Sequence, residues 1–108
     1  MKQFILNIPQ LRYLFYYIKK NKRVAYIKYA KTDFIESLWQ VALNLLYSNK
    51  NGIKLTKSQI QLLHHYRVAL KQLVSATSTK DKKRHLTNNV IDVLLTLIIP
   101  WIAKNKLA

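Results

Sequence analysis

The sequence predicts an all-α fold, a small bundle of four to six helices, from three observations. Apolar residues recur at the three- and four-residue spacing of helices along most of the chain. One glycine and two prolines among 108 residues leave little turn chemistry for sandwiches or barrels. Polar clusters able to start or stop helices separate the apolar segments. At this length we expect one compact domain, built from residues 1–32, 33–75 and 76–108.

Charge indicates the kind of partner. Nineteen Lys and Arg stand against four Asp and Glu, a net charge of +15, while half of the residues are hydrophobic. A disordered basic tail would lack that apolar half, so the composition predicts a folded domain that binds nucleic acid or an anionic membrane. The chain contains no cysteine, which excludes disulfides, thiolate metal ligands and cysteine nucleophiles.

The first segment, residues 1–32, is basic and aromatic. It holds eight Lys and Arg, five tyrosines and no acid. Asn7-Ile8-Pro9 is a helix start signal because proline suits the first helical turn. The spacing of Leu11, Leu14, Phe15 and Ile18 gives an apolar stripe. We expect one or two helices here.

The second segment, residues 33–75, should hold the central helical pair. Asp33 followed by Glu36 is typical of a capped helix start, and apolar residues on a wide arc continue this helix to Leu46. The cluster Ser48 to Gly52 predicts a turn.

The next helix carries a stronger start signal. Thr56 and Gln59 match a capping box, and the helix should continue to about Ser75. Its apolar arc would consist of Ile60, Leu63, Tyr66, Leu70, Leu73 and Val74.

The last segment, residues 76–108, combines a short basic helix with an apolar one. Ser78 can cap the basic helix, Asn88-Asn89 mark a break, and Pro100 should kink or end the apolar helix. The apolar stretch of residues 90–103 falls short of the roughly 20 residues that span a bilayer. Because it has almost no polar face, we expect it to be buried, with contact to a second copy or a membrane through Val90, Leu94, Leu97, Ile98 and Trp101.

Catalysis is not expected. The four acids lie in different predicted elements, and the adjacent His64 and His65 point about 100° apart on a helix rather than sharing a metal. The sequence therefore predicts no enzyme, no cofactor and no metal.

Nucleic-acid binding is the function that the basic clusters favour. Two runs of cations, residues 19–23 and 80–84, contain one acid between them. We expect nonspecific contact with the phosphates of double-stranded DNA through Lys19, Lys20, Lys22, Arg23, Lys57, Arg67, Lys71, Lys80, Lys82, Lys83 and Arg84. The alternatives are a helix-turn-helix regulator over residues 33–75, and a membrane-active or capsid-docking protein that uses the apolar helix.

A series of short motifs carries a family resemblance. They are Phe34-Ile35-Glu36, Ala42-Leu43-Asn44-Leu45-Leu46, an Asn/Gly turn, the run from Ile53 to Gln59, Leu63-x-His65, Leu70-x-x-Leu73 and Lys82-Lys83-Arg84-x-Leu86. Over residues 33–100 the chain thereby resembles a small basic protein of animal Polinton (Maverick) elements and adintoviruses, which is similar to the adenovirus core protein X, the mu precursor. That family often continues with Gln-x-Gly-Gly-Phe-Leu and a Gly-rich tail, whereas this chain has Thr87-Asn88-Asn89-Val90-Ile91.

The resemblance implies a nonenzymatic virion core protein. Such a protein condenses packaged DNA, with the virion core and the host nucleus as its places of action. Separately, the apolar C-terminal helix predicts a second copy of the chain or a capsid protein as a further partner. If the double glycine of that family is a processing signal, this chain lacks it.

Overall fold

The computed structural model describes residues 8–48, 53–87 and 89–104, which are mostly helical and contain no strand. The all-α prediction is confirmed. Some residues of the predicted signals lie outside the described residues. They are Asn7 of the first helix start, residues 49–52 of the turn and Asn88 of the break. The described part contains one 3-10 turn, Lys20–Lys22, and seven α-helices: α1 Ile8–Tyr16, α2 Arg23–Tyr29, α3 Thr32–Leu46, α4 Lys57–His65, α5 Arg67–Ser75, α6 Thr79–Leu86 and α7 Val90–Lys104.

Seven helices exceed the predicted four to six because the long helix expected over residues 56–75 is two. Tyr66 leaves the helical conformation, with φ −100° and ψ 12°, and separates α4 from α5. The predicted apolar arc is interrupted at this point. Ile60 is 54% exposed, and α4 contributes no fully buried side chain, whereas Leu70 and Leu73 of α5 belong to the core.

Helix α7 lies at the centre of the core. It packs against α1, α3, α4 and α6. It continues through Pro100 to Lys104, so the proline does not end the helix. The buried side chains of α7 are Val90, Ile91, Val93, Leu94, Leu95, Leu97, Ile98, Ile99 and Ile102.

The chain itself covers the residues for which we expected an oligomer or membrane contact. Val90, Leu94, Leu97 and Ile98 are almost fully buried and Trp101 is partly buried. Helices α1, α3, α4 and α6 pack around α7, so these side chains are not an exposed contact surface and the sequence interpretation is corrected on this point.

Two of the three predicted helix caps are confirmed. Thr56 Oγ1 accepts from the Gln59 N–H at 3.2 Å, and the Gln59 side chain accepts from the Thr56 N–H at 2.8 Å, a complete capping box. Ser78 Oγ accepts from the Asp81 N–H at 3.1 Å and starts α6. Each bond satisfies an N–H that the first helical turn leaves without a partner.

The cap predicted at Asp33 is wrong. Helix α3 begins at Thr32, after Lys31, and Asp33 accepts from the neighbouring Phe34 N–H instead. Glu36 does not complete a capping box because it forms an ion pair with Lys82. The bond from the Lys82 ammonium to this carboxylate is charge-assisted.

Candidate nucleic-acid interface

Each basic run of the sequence turns one cation inward. In the first run this cation is Arg23, which is only 8% exposed. Its guanidinium donates to the Leu14 and Phe15 carbonyl oxygens at 3.2 and 2.8 Å and to Asp92 Oδ1 at 2.7 Å. The two carbonyls lie in the last turn of α1, where a helix leaves its oxygens without partners. Arg23 therefore caps α1 and joins it to α7.

The second run turns Lys82 inward in the same way. Lys82 is 7% exposed, its Nζ donates to Glu36 Oε1, and it lies 4.9 Å from the centroid of the Trp39 ring. Trp39 is itself fixed by a 3.1 Å hydrogen bond from its Nε1 to the Val74 carbonyl oxygen. These contacts hold α6 against α3.

Arg23 and Lys82 are therefore not available to phosphates. Both belong to the predicted DNA-contacting set, and in both the charged group is enclosed with a carboxylate partner. Their place in that set is corrected to a structural one. Removing the charge on either side would leave the other buried and unpaired, which is costly.

The same ion pairs occupy carboxylates that would otherwise compete with a negative ligand for the cations on the surface. All four acids of the sequence lie within the described residues, and Glu36 and Asp92 are held by Lys82 and Arg23. Asp81 lies 3.6 Å from Arg84 in an exposed pair, which contributes little. The cations on the surface therefore face few acids of their own chain.

The outward-facing cations of α2 and α6 meet in one groove. This lysine groove, lined by Val24, Lys28, Thr79, Lys80, Lys83 and Thr87, has a volume of 510 Å³. Helices α2 and α6 pack together there, and Lys83 Nζ donates to the Lys28 carbonyl oxygen at 2.9 Å. An ammonium group has three N–H donors, so this bond leaves two for a ligand.

The groove brings together part of the predicted set and one residue that the prediction missed. Lys80 and Lys83 were predicted; Lys28 was not. Its spacing from Val24, four residues within α2, is a signal that places both on one helical face. Lys19, Lys20 and Lys22 are exposed on the segment that leads into α2, and Arg84 is exposed on α6.

The remaining predicted cations lie elsewhere. Lys57 and Arg67 are exposed at the starts of α4 and α5 and do not line the lysine groove. Lys71 lines a separate hollow between α5 and α6, where Asp81 and His85 also lie. Tyr66 divides the helix expected over residues 56–75, and the helix-turn-helix alternative over residues 33–75 stays a prediction.

Within the described residues, His, Asp and Glu nowhere gather in threes as they would around a metal ion. In the same part of the chain no single helix has the length and apolarity to cross a membrane, although α6 and α7 pass that test as a pair bent by 83°. Comparisons with protein-family models, curated proteins and solved structures found no match.

Proposed function

We propose that the protein binds double-stranded DNA without reading its sequence and neutralises its phosphates, as a nonenzymatic core protein of a virion does. The lysine groove is the observation that carries the proposal. Three ammonium groups and the hydroxyl residues Thr79 and Thr87 line one surface hollow, where they can meet phosphate oxygens. None of the four acids lines that groove.

The amount of charge suits condensation. Over its longest dimension the described chain extends 32 Å. Duplex DNA carries one negative charge per about 1.7 Å, so a stretch of that length holds roughly 19 phosphate charges. The net charge of +15 offsets most of them. A molecule that cancels the charge of the DNA it covers favours close packing of duplexes.

The resemblance to the basic protein of Polinton elements and adintoviruses supports the same role. It points to packaged DNA as the partner, with the virion core and the host nucleus as the places of action. No residue of the lysine groove needs to reach a base edge for this role, since backbone contacts alone supply nonspecific affinity.

The test is a titration of a dye-labelled duplex at several salt concentrations with two charge-matched variants. The first is Lys80→Gln/Lys83→Gln, which removes two ammonium groups from the groove. The second is Lys54→Gln/Lys104→Gln, which removes two exposed lysines outside both the groove and the predicted phosphate-contacting set. Each released counterion contributes about 0.9 to the slope of log affinity against log salt, so the groove variant should lower the slope by up to about 1.8.

The matched control should change the slope by less than one such contact. Affinity that does not respond to salt would refute phosphate neutralisation. Equal weakening by both variants would refute the lysine groove as the binding site.

A further inference from the structure

A second groove lies on the other side of α2 and is aromatic. This tyrosine groove has a volume of 740 Å³ and is lined among others by Gln10, Lys22, Tyr26, Tyr29, Lys31 and Asp33. Its size lies within the range of roughly 300 to 1,000 Å³ that holds small organic ligands. Tyr29 is 81% exposed, so its ring is accessible to a ligand.

The aromatic side of the groove is held in place from the core. Tyr26 packs edge-on against the buried Phe34, with ring centroids 6.0 Å apart. Gln10 Nε2 donates to the Tyr26 hydroxyl at 3.0 Å. Tyr13 lies 6.3 Å from Tyr26 and is stacked on Tyr17 at 5.8 Å. Of these rings only Tyr26 lines the groove, so the contacts give a ligand one ordered aromatic wall beside the exposed ring of Tyr29.

The two grooves meet at Tyr29. Lys28, which lines the lysine groove, places its Nζ 5.7 Å from the centroid of the Tyr29 ring, and Tyr29 lines the tyrosine groove. Lys22 and Lys31 add two exposed cations to the aromatic side, against the one carboxylate of Asp33. A ligand that fits this arrangement has an anionic backbone and flat π-systems at short intervals along it.

We propose that the tyrosine groove binds unpaired nucleic-acid bases, with Tyr29 as the stacking surface and Lys22 and Lys31 on the flanking phosphates. Stacking on an aromatic ring with a basic groove beside it is how proteins hold single strands without reading sequence. The inference rests on the proposed DNA-binding function and extends it, because duplex DNA hides the faces that Tyr29 would cover. The protein would then hold unpaired bases at frayed or gapped sites in addition to the phosphates of intact duplex.

The test compares three probes by fluorescence anisotropy: a single strand, an abasic strand of the same length, and a duplex of half that length, so that all three carry about the same number of phosphates. The abasic strand keeps the phosphates and lacks the rings, so it separates stacking from charge. Tyr29→Leu removes the ring, Tyr29→Phe restores it without the hydroxyl, and Tyr47→Leu is the matched control at an exposed tyrosine outside the groove.

The wild type should bind the single strand about tenfold more tightly than the abasic strand, a difference expected for stacking of one or two bases. Tyr29→Leu should remove that difference while leaving the abasic and duplex affinities unchanged, and Tyr29→Phe and Tyr47→Leu should keep it. Equal affinity of the wild type for the single and abasic strands overturns the inference and leaves duplex binding intact. Failure to bind any probe overturns the proposed function itself.

Anionic vesicles are the competing occupant. Two results together would assign the groove to a lipid surface. Tyr29→Leu would lose binding to phosphatidylserine vesicles, and the same variant would keep the wild-type preference for single strands over abasic ones. That result also overturns the inference.

Discussion

Lys83 Nζ donates to the backbone oxygen of Lys28 at 2.9 Å, although 55 residues separate them in the sequence. The accepting oxygen lies in the last turn of α2, where helical carbonyls lack partners of their own. One contact thereby caps a helix and brings a cation of the second basic run beside a cation of the first segment. Its neighbour Lys82 points the other way, toward Glu36, because successive residues of a helix differ by about 100°.

Lys82 and Lys83 should therefore differ sharply when each is replaced. We expect Lys82→Ala to lower the free energy of unfolding by about 3 kcal/mol, since it leaves Glu36 without its cation in a partly buried site. Lys83→Ala should change stability by less than about 0.5 kcal/mol because its bond is exposed. Urea unfolding followed by circular dichroism gives both values.

Duplex affinity should show the opposite order. Measured at a temperature where both variants are folded, Lys83→Ala should bind DNA more weakly than the wild type and Lys82→Ala should bind nearly as well. A loss of affinity in Lys82→Ala as large as that in Lys83→Ala would place Lys82 on the DNA and contradict its structural assignment.

Arg23 should be irreplaceable even by lysine. Its guanidinium reaches two carbonyls of α1 and the Asp92 carboxylate at once, a fork that a single ammonium cannot reproduce. We expect Arg23→Ala to cost about 3 to 5 kcal/mol of unfolding free energy, with Arg23→Lys recovering only part of it. Lys22→Ala is the control, since Lys22 is the exposed neighbour with the same charge. Equal melting temperatures of Arg23→Ala and Lys22→Ala would show that the buried ion pair does not hold α1 to α7.

The sequence predicts local features of this fold better than the roles of its cations. The caps at Thr56 and Ser78 follow from bonds that span three residues, which the chain order alone contains. Arg23 pairs with an acid 69 residues away and Lys82 with one 46 residues away. Which cation of a run turns inward depends on where the helix begins and on what packs against it. The residues of the run alone determine neither.

The break at Tyr66 was missed for a related reason. The apolar spacing continues across it, and no glycine or proline marks it in the sequence. The tyrosine groove is similarly hidden, because the tyrosines of residues 1–32 are equally compatible with burial and with exposure. Packing against Phe34 and Gln10 decides which rings are ordered, and both partners belong to other helices.

The Thr56 capping box should control the local stability of α4. This helix contributes no fully buried side chain, so its end bonds form a larger share of what holds it. We expect Thr56→Ala to destabilise the helix by about 1 kcal/mol and Thr56→Ser to retain the bond. Amide hydrogen exchange should report faster exchange confined to α4, in line with local opening. Uniformly faster exchange in α3 and α7 would instead show that the cap stabilises the whole domain.

Helix α7 should behave as a core element. Leu94 is fully buried, so Leu94→Ala should lower the free energy of unfolding by about 2 to 5 kcal/mol, while Val68→Ala, at a site 71% exposed on α5, should stay within about 0.5 kcal/mol. A truncation after Asn89 removes α7, the centre of the core. We therefore expect it to unfold the chain rather than to release a folded monomer. Sedimentation of the full chain and of Leu94→Ala provides the second measurement. If Leu94 joined two copies of the chain, Leu94→Ala would sediment with a lower mass than the full chain, and its monomer would remain stable. A loss of stability with no change in the mass of the folded fraction is the result expected of a side chain packed inside its own domain.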